Sequence, residues 1–200
     1  MLSEESRKAW PYEFGLVYSI TLSKEGLRTS LQVQNKGSQD FEFQVLLHTY
    51  LSVEVGLYWK LHLRIGSLIA QQDISKIRIN NLESKTYIDK TQNAATQTET
   101  QSALPITGET DRVYQSLDPK VPIVVSSADD NKPLFSVARE ALSDVVVWNP
   151  WIEKAKGMAD FGPDEAYQKM ICVEAGSVAG WQTLEAGDSW EGGQSIRPAA

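Results

Sequence analysis

Phe14-Gly15-Leu16-Val17-Tyr18-Ser19-Ile20-Thr21-Leu22 sets the style of the chain: the even positions are all large and apolar. A period of two belongs to a strand with one face in a core. Lys24-Glu25-Gly26 then reads as a short turn, and Leu27, Thr29, Leu31 and Val33 resume the alternation with Arg28, Ser30, Gln32 and Gln34 opposite. The two runs predict a hairpin. Past the turn residues Asn35-Lys36-Gly37-Ser38, the run from Phe41 to Tyr50 places Phe41, Phe43, Val45 and Leu47 inward and predicts a third antiparallel strand directly after them.

Further short strands are predicted at 77–80, 86–88, 113–115, 123–126, 134–138, 145–148, 167–174 and 189–195, each bounded by Gly, Pro, Asn or Asp. Many short strands without a long 3.6-residue period indicate an all-β sandwich or related closed sheet with little helix. Residues 92–102, rich in Gln, Thr, Asn and Ala, show neither period and read as a polar loop. Residues 55–72 are apolar and basic between acidic flanks and look inserted, although alternation of Leu57, Trp59, Leu61, Leu63 and Ile65 also permits an added hairpin strand.

The 200 residues fit one domain, expected to run over 1–200, and 42% of them are hydrophobic, enough for a sizeable core. With 19 basic against 26 acidic residues, net −7, nucleic acid or an anionic bilayer is not the expected partner. Cys172 is the only cysteine, the opening Met1 to Lys8 lacks the form of a signal peptide, and no 18-residue apolar run occurs. A reducing, cytoplasmic setting without a membrane span is expected.

P-loop, dinucleotide-binding glycine, H-E-x-x-H, G-x-S-x-G and paired-cysteine patterns do not occur in the sequence. Neither metal nor cofactor is therefore expected. Three residues stand out instead. Strand parity puts His48 opposite Val45 and Leu47, on the side of Glu42, Gln44 and Tyr50; it can be a bonded structural histidine or an acid–base group. Glu174 follows an apolar run and precedes Ala175-Gly176, where burial would raise its pKa toward the range of a general base, or where it could bond turn amides. Asp111, at a strand entrance, can accept from sugar hydroxyls or pair with Arg112. Trp148-Asn149-Pro150-Trp151 puts two indoles around a rigid turn, as a sugar-stacking platform or as core aromatics.

Six stretches in order, Lys8-Ala9-Trp10-Pro11-Tyr12-Glu13-Phe14, Leu46-Leu47-His48-Thr49-Tyr50, Thr86-Tyr87-Ile88-Asp89-Lys90, Glu109-Thr110-Asp111-Arg112-Val113-Tyr114, the long run from Val147 to Phe161, and Ile171-Cys172-Val173-Glu174-Ala175-Gly176, span nearly the whole chain. Together they resemble the glucose-6-phosphate 1-epimerases, the hexose-6-phosphate mutarotases of the aldose 1-epimerase group. The resemblance implies a galactose mutarotase-like β-supersandwich and interconversion of hexose 6-phosphate anomers without a cofactor. It implies that Glu174 takes the proton of the C1 hydroxyl while His48 gives one to the ring oxygen, and that Asp111 binds substrate.

Two departures accompany it. Family members carry further strands, with the arginines expected to grip phosphate, ahead of the position of Lys8, so the sandwich is expected to be incomplete at its N-terminal side, with sheet edges and core faces exposed. Residues 55–72 interrupt the family pattern as a translated intron or gene-model error would. The competing expectation is a non-catalytic carbohydrate-binding or inactive fragment of that family.

Overall fold

The computed structural model describes residues 4–53 and 73–199, so the sequence reading of 55–72, His62 included, lies outside the described residues. Two antiparallel sheets face each other. The first contains, in spatial order, β1 (Phe14–Ser23), β2 (Gly26–Asn35), β14 (Ser189–Pro198), β11 (Pro133–Glu140), β10 (Ile123–Ser127), β5 (Ile77–Asn80) and β8 (Ala103–Pro105). The second runs β3 (Phe41–Leu47), β13 (Met170–Leu184), β12 (Asp144–Asn149), β9 (Thr110–Tyr114), β6 (Thr86–Asp89) and β7 (Ala95–Thr98), with β4 (Tyr50–Ser52) also on β13. Among the described residues, helix is limited to α1 (Glu4–Ala9), α2 (Trp151–Gly157) and short 3₁₀ turns. The all-β expectation holds.

Period two explains the layers. Phe41, Phe43, Val45 and Leu47 of β3 are buried while Glu42, Gln44 and Leu46 between them are exposed. Each such buried side chain stabilises the fold by about 1.5–3 kcal/mol. With Val33, Leu142, Ala175 and Leu184 they form one core cluster, onto which Phe14 and Leu31 pack. The larger cluster between the sheets gathers Ile77, Ile79, Tyr114, Val125, Val137, Val147, Ile171 and Val173. Strands β9, β12 and β13 supply both this inner layer and a third, outer cluster of Val113, Val146, Trp148, Met170 and Cys172. Their burial on both faces is why they read as nearly continuous apolar runs.

Several expectations are corrected. β1 pairs with β2 as predicted, yet beyond Phe14 its even-numbered face is not in a core: Leu16, Tyr18, Ile20 and Leu22 are exposed. β3 lies over β2, whereas β1 projects one strand beyond the second sheet, so among the described residues none covers that face. Nor does β3 continue a meander from β2; the chain crosses to the second sheet, where β3 pairs with β13. The supposed polar loop at 92–102 contains β7, an edge strand whose side chains mostly face solvent and so show no alternation. The strand predicted at 167–174 starts only at Met170, after a 3₁₀ turn over Asp164–Lys169, and continues to Leu184.

Candidate functional site

The ladder of the second sheet brings together residues remote in the chain. Leu47 pairs with Ala175 and Tyr50 with Cys172, so His48, in the short break between β3 and β4, falls opposite Glu174. On the other side of β13, Trp148 pairs with Cys172; Trp148 in turn pairs with Asp111 of β9. Residues that oppose one another across an antiparallel ladder share a face. His48, Cys172, Glu174, Trp148 and Asp111 therefore lie together on the outer face of this sheet.

His48 Nε2 is 3.3 Å from Glu174 Oε1, with the imidazole half exposed and the carboxyl 1% exposed. The other oxygen of Glu174, Oε2, is buried without a hydrogen-bond partner. An unpaired buried oxygen costs about 1–3 kcal/mol, a cost that an incoming hydroxyl donor would remove. Burial pushes Glu174 up to about 8, helped by the Asp111 carboxylate and opposed by the Lys90 ammonium. Burial likewise holds the His48 imidazole below its ordinary value, against the pull of Asp111. At neutral pH the pair thus holds one proton, resting mainly on Glu174, and can pass it across the 3.3 Å gap.

Three aromatic rings shape the walls. Tyr50 stacks on His48 with centroids 4.9 Å apart, and Trp148 presents an edge contact to His48 at 5.8 Å and to Tyr50 at 6.0 Å. Next to Tyr50 opens a recess of about 500 Å³ bounded also by Ser52, Asp160, Phe161, Lys169 and Met170. The corner carrying His48 is fixed by Thr49, whose hydroxyl donates to the Leu47 carbonyl at 3.2 Å and accepts from Gln194 Nε2 of the opposite sheet at 2.7 Å.

Asp111 does not pair with Arg112. Its carboxylate lies 4.0 Å from Lys90 Nζ and 3.8 Å from Lys154 Nζ, while Lys154 also reaches Glu109 at 3.3 Å. Arg112 is turned to the other side, to Glu99 at 2.9 Å and Asp89 at 3.6 Å, with its guanidinium 4.7 Å from the centre of the Tyr87 ring. The two indoles of the Trp-Asn-Pro-Trp turn also part: Trp148 belongs to the outer face, whereas Trp151 packs on the inner core and on Tyr167. Asn149 holds that turn, donating to the carbonyls of Tyr167 and Met170 at 2.8 and 2.9 Å and accepting from Trp151 N–H. Glu174 sits within a continuing strand rather than at a turn, because β13 runs on through Ala175 and Gly176.

Sequence reading missed Cys172, Lys90 and Lys154. Cys172 was accessible in principle, since two residues before Glu174 on a strand means the same face; its Sγ lies 3.8 Å from His48 Nδ1. Lys154 carried no signal, because α2 approaches Asp111 only through the tertiary fold. His48, Cys172 and Glu174 each bring one donor atom to within 4.8 Å of the others, close enough for a shared metal ion. Burial keeps the Cys172 thiol and Glu174 protonated at neutral pH, which suits proton exchange better than cation binding.

The chain is thus an all-β antiparallel sandwich that gathers an imidazole, a buried high-pKa carboxyl and a lysine-flanked carboxylate, groups able to exchange protons, on one face. The family follows from comparison: the chain belongs to the aldose 1-epimerase family, whose model matches residues 1–197. A Cenchrus ciliaris protein provisionally named glucose-6-phosphate 1-epimerase is 33% identical over 95% of this chain and 52% of its own length. An Escherichia coli protein of the same provisional name is 27% identical over 98% of this chain and 58% of its own. The chain spans about half the length of these relatives.

Solved structures agree in fold. A protein provisionally called a mutarotase, YeaD from Salmonella typhimurium, superposes with a TM-score of 0.71 at 24% identity, covering 99% of this chain and 58% of that one. A galactose mutarotase related enzyme from Lactobacillus acidophilus gives 0.70 at 15% identity, covering 99% of this chain and 65% of that one. The architecture is galactose mutarotase-like.

Proposed function

We propose that the protein interconverts the α and β anomers of a hexose 6-phosphate by acid–base opening and reclosure of the sugar ring. The observation that carries this reading is the 3.3 Å approach of His48 Nε2 to Glu174 Oε1 across the second sheet. In ring opening, Glu174 as carboxylate takes the C1 hydroxyl proton while the His48 imidazolium protonates the ring oxygen, and the C1–O5 bond breaks to leave an aldehyde and a C5 hydroxyl. Rotation about C1–C2 follows. On reclosure His48 takes the C5 hydroxyl proton as O5 attacks C1, and Glu174 returns a proton to O1.

The pair carries one proton before and after each half-reaction. The resting form, protonated on Glu174, is the one poised for closure of the open sugar. Asp111 accepts from a sugar hydroxyl and is held for that purpose by Lys90 and Lys154. The names of the relatives and these two ammonium groups support an anionic sugar over a neutral one. The stacking of Tyr50 on His48, with Trp148 at their edges, also suits a second reading, a sugar-binding sandwich without turnover.

Freshly dissolved α-glucose 6-phosphate, followed by NMR exchange between anomers, separates the two. Catalysis predicts acceleration over buffer that His48→Asn and Glu174→Gln each abolish. A rate equal to buffer from folded protein overturns the proposal and leaves the binding reading.

A further inference from the structure

One strand holds His48 at both of its ring nitrogens. Cys172 and Glu174 stand two residues apart on β13 and so point to the same side of the sheet. Glu174 Oε1 lies 3.3 Å from Nε2, and Cys172 Sγ lies 3.8 Å from Nδ1, within reach of a hydrogen bond to sulfur. Tyr50, opposite Cys172 in the ladder, restrains the ring further by stacking on it at 17° to its plane. The proposed function, on which this inference rests, gives the two nitrogens different work. Acid and base act on two oxygens of one carbon, so the nitrogen facing the carboxyl, Nε2, is the one that gives and regains the proton. Nδ1 must then keep its own.

We propose that Cys172 is the positioning residue of this pair: its sulfur accepts from His48 Nδ1–H and so fixes the neutral imidazole in the tautomer whose Nε2 carries the lone pair. In a neutral imidazole the bond made by one nitrogen decides which of them bears the hydrogen. The isolation of Glu174 Oε2 agrees. Were Nε2 to carry the hydrogen, Glu174 would have to hold its own proton on Oε2, where no acceptor stands among the described residues. With Nε2 bare, that proton sits on Oε1 and donates to the ring across the 3.3 Å gap. Sulfur also suits the place. Cys172 is wholly buried, and burial keeps its thiol protonated and therefore uncharged. A neutral, weak acceptor orients the ring without raising its basicity, whereas a carboxylate there would raise it.

Long-range proton–nitrogen NMR of the full chain labelled at histidine reads the tautomer directly, and the signal missing from His48→Asn identifies His48 among the two histidines. At about pH 7.5, where the imidazole is neutral, Nδ1–H is expected, against the Nε2–H that an unrestrained histidine prefers. Cys172→Ala should shift the ring to Nε2–H and lower kcat for anomer exchange about fivefold with KM unchanged, as the loss of one modest hydrogen bond. Cys172→Ser, whose hydroxyl accepts in the thiol's place, should restore the Nδ1–H form and most of the rate. A packing role would cost stability in both variants and leave the tautomer where it was. Nε2–H in the unmodified chain, or a tautomer indifferent to Cys172→Ala, overturns the inference, and the first of these needs no variant to fold. No substrate enters the spectrum, so a Cys172-dependent Nδ1–H form in a chain without turnover upholds the hydrogen bond and sinks the function proposed above.

Discussion

Glu174→Gln should abolish turnover and yet stabilise the fold in alkaline solution. The carboxyl is 1% exposed and its pKa stands at about 8 against an ordinary 4.5, chiefly through burial. Above pH 4.5 the unfolded chain releases this proton while the folded protein keeps it, so unfolding releases a proton and stability falls as pH rises from 4.5 to 8. At about 1.4 kcal/mol per pKa unit, burying Glu174 costs about 3 kcal/mol at pH 7, where it stays protonated, and about 5 kcal/mol above pH 8, where it is ionised, as upper values. An amide does not titrate. His48, whose pKa is lowered on folding, acts in the opposite sense, adding stability above pH 6.5 that is lost in acid, and it is present in both proteins. Urea unfolding at one fixed protein concentration, from pH 5 to 8.5, should therefore show the wild type losing several kcal/mol relative to the variant. Parallel stability curves, or a wild type that gains on the variant as pH rises, would refute burial as the cause.

The anomer-exchange rate should be bell-shaped in pH, falling in acid with a limit below 6.5 and in base near 8, because the pair must hold one proton; a rate that climbs steadily to pH 10 contradicts this. His48→Asn should lower the maximal rate by about 10²–10⁴ with little change in KM, the usual range for losing a positioned acid–base group; NMR exchange at saturating substrate measures it. Asp111→Asn should raise KM and move the alkaline limit below 8, since removing a negative neighbour eases ionisation of Glu174; an unmoved limit would sever the two groups. Asn149→Ala should cost about 2–4 kcal/mol in chemical denaturation, because a buried and a partly buried carbonyl lose their donor, and a loss under 1 kcal/mol would contradict the hydrogen-bond account.

Local alternation was enough to place His48 on the polar side of its strand, to find the buried phenylalanines of β3 and to identify the chain as all-β. It could not say which sheet β3 joins, because that depends on β13, far along the chain. The face of β1 shows the same limit: apolar alternation predicts a side that seeks cover, and only the position of β3 over β2 shows that none of the described residues supplies it. Polar β7 failed for the opposite reason, since an edge strand facing water has no pattern to detect. For the site, residue types named His48, Glu174 and Asp111, but the isolation of Glu174 Oε2 and the lysines around Asp111 are properties of converging strands and a helix.

The link from Gln194 to Thr49 crosses from one leaf of the sandwich to the other and ends one residue from the imidazole. Any slip between the leaves is thus delivered to the ring proposed to move the proton. Warming should blunt proton transfer before it melts the strands, and a lasting repair of thermal sensitivity belongs at this fastener rather than in the distant core.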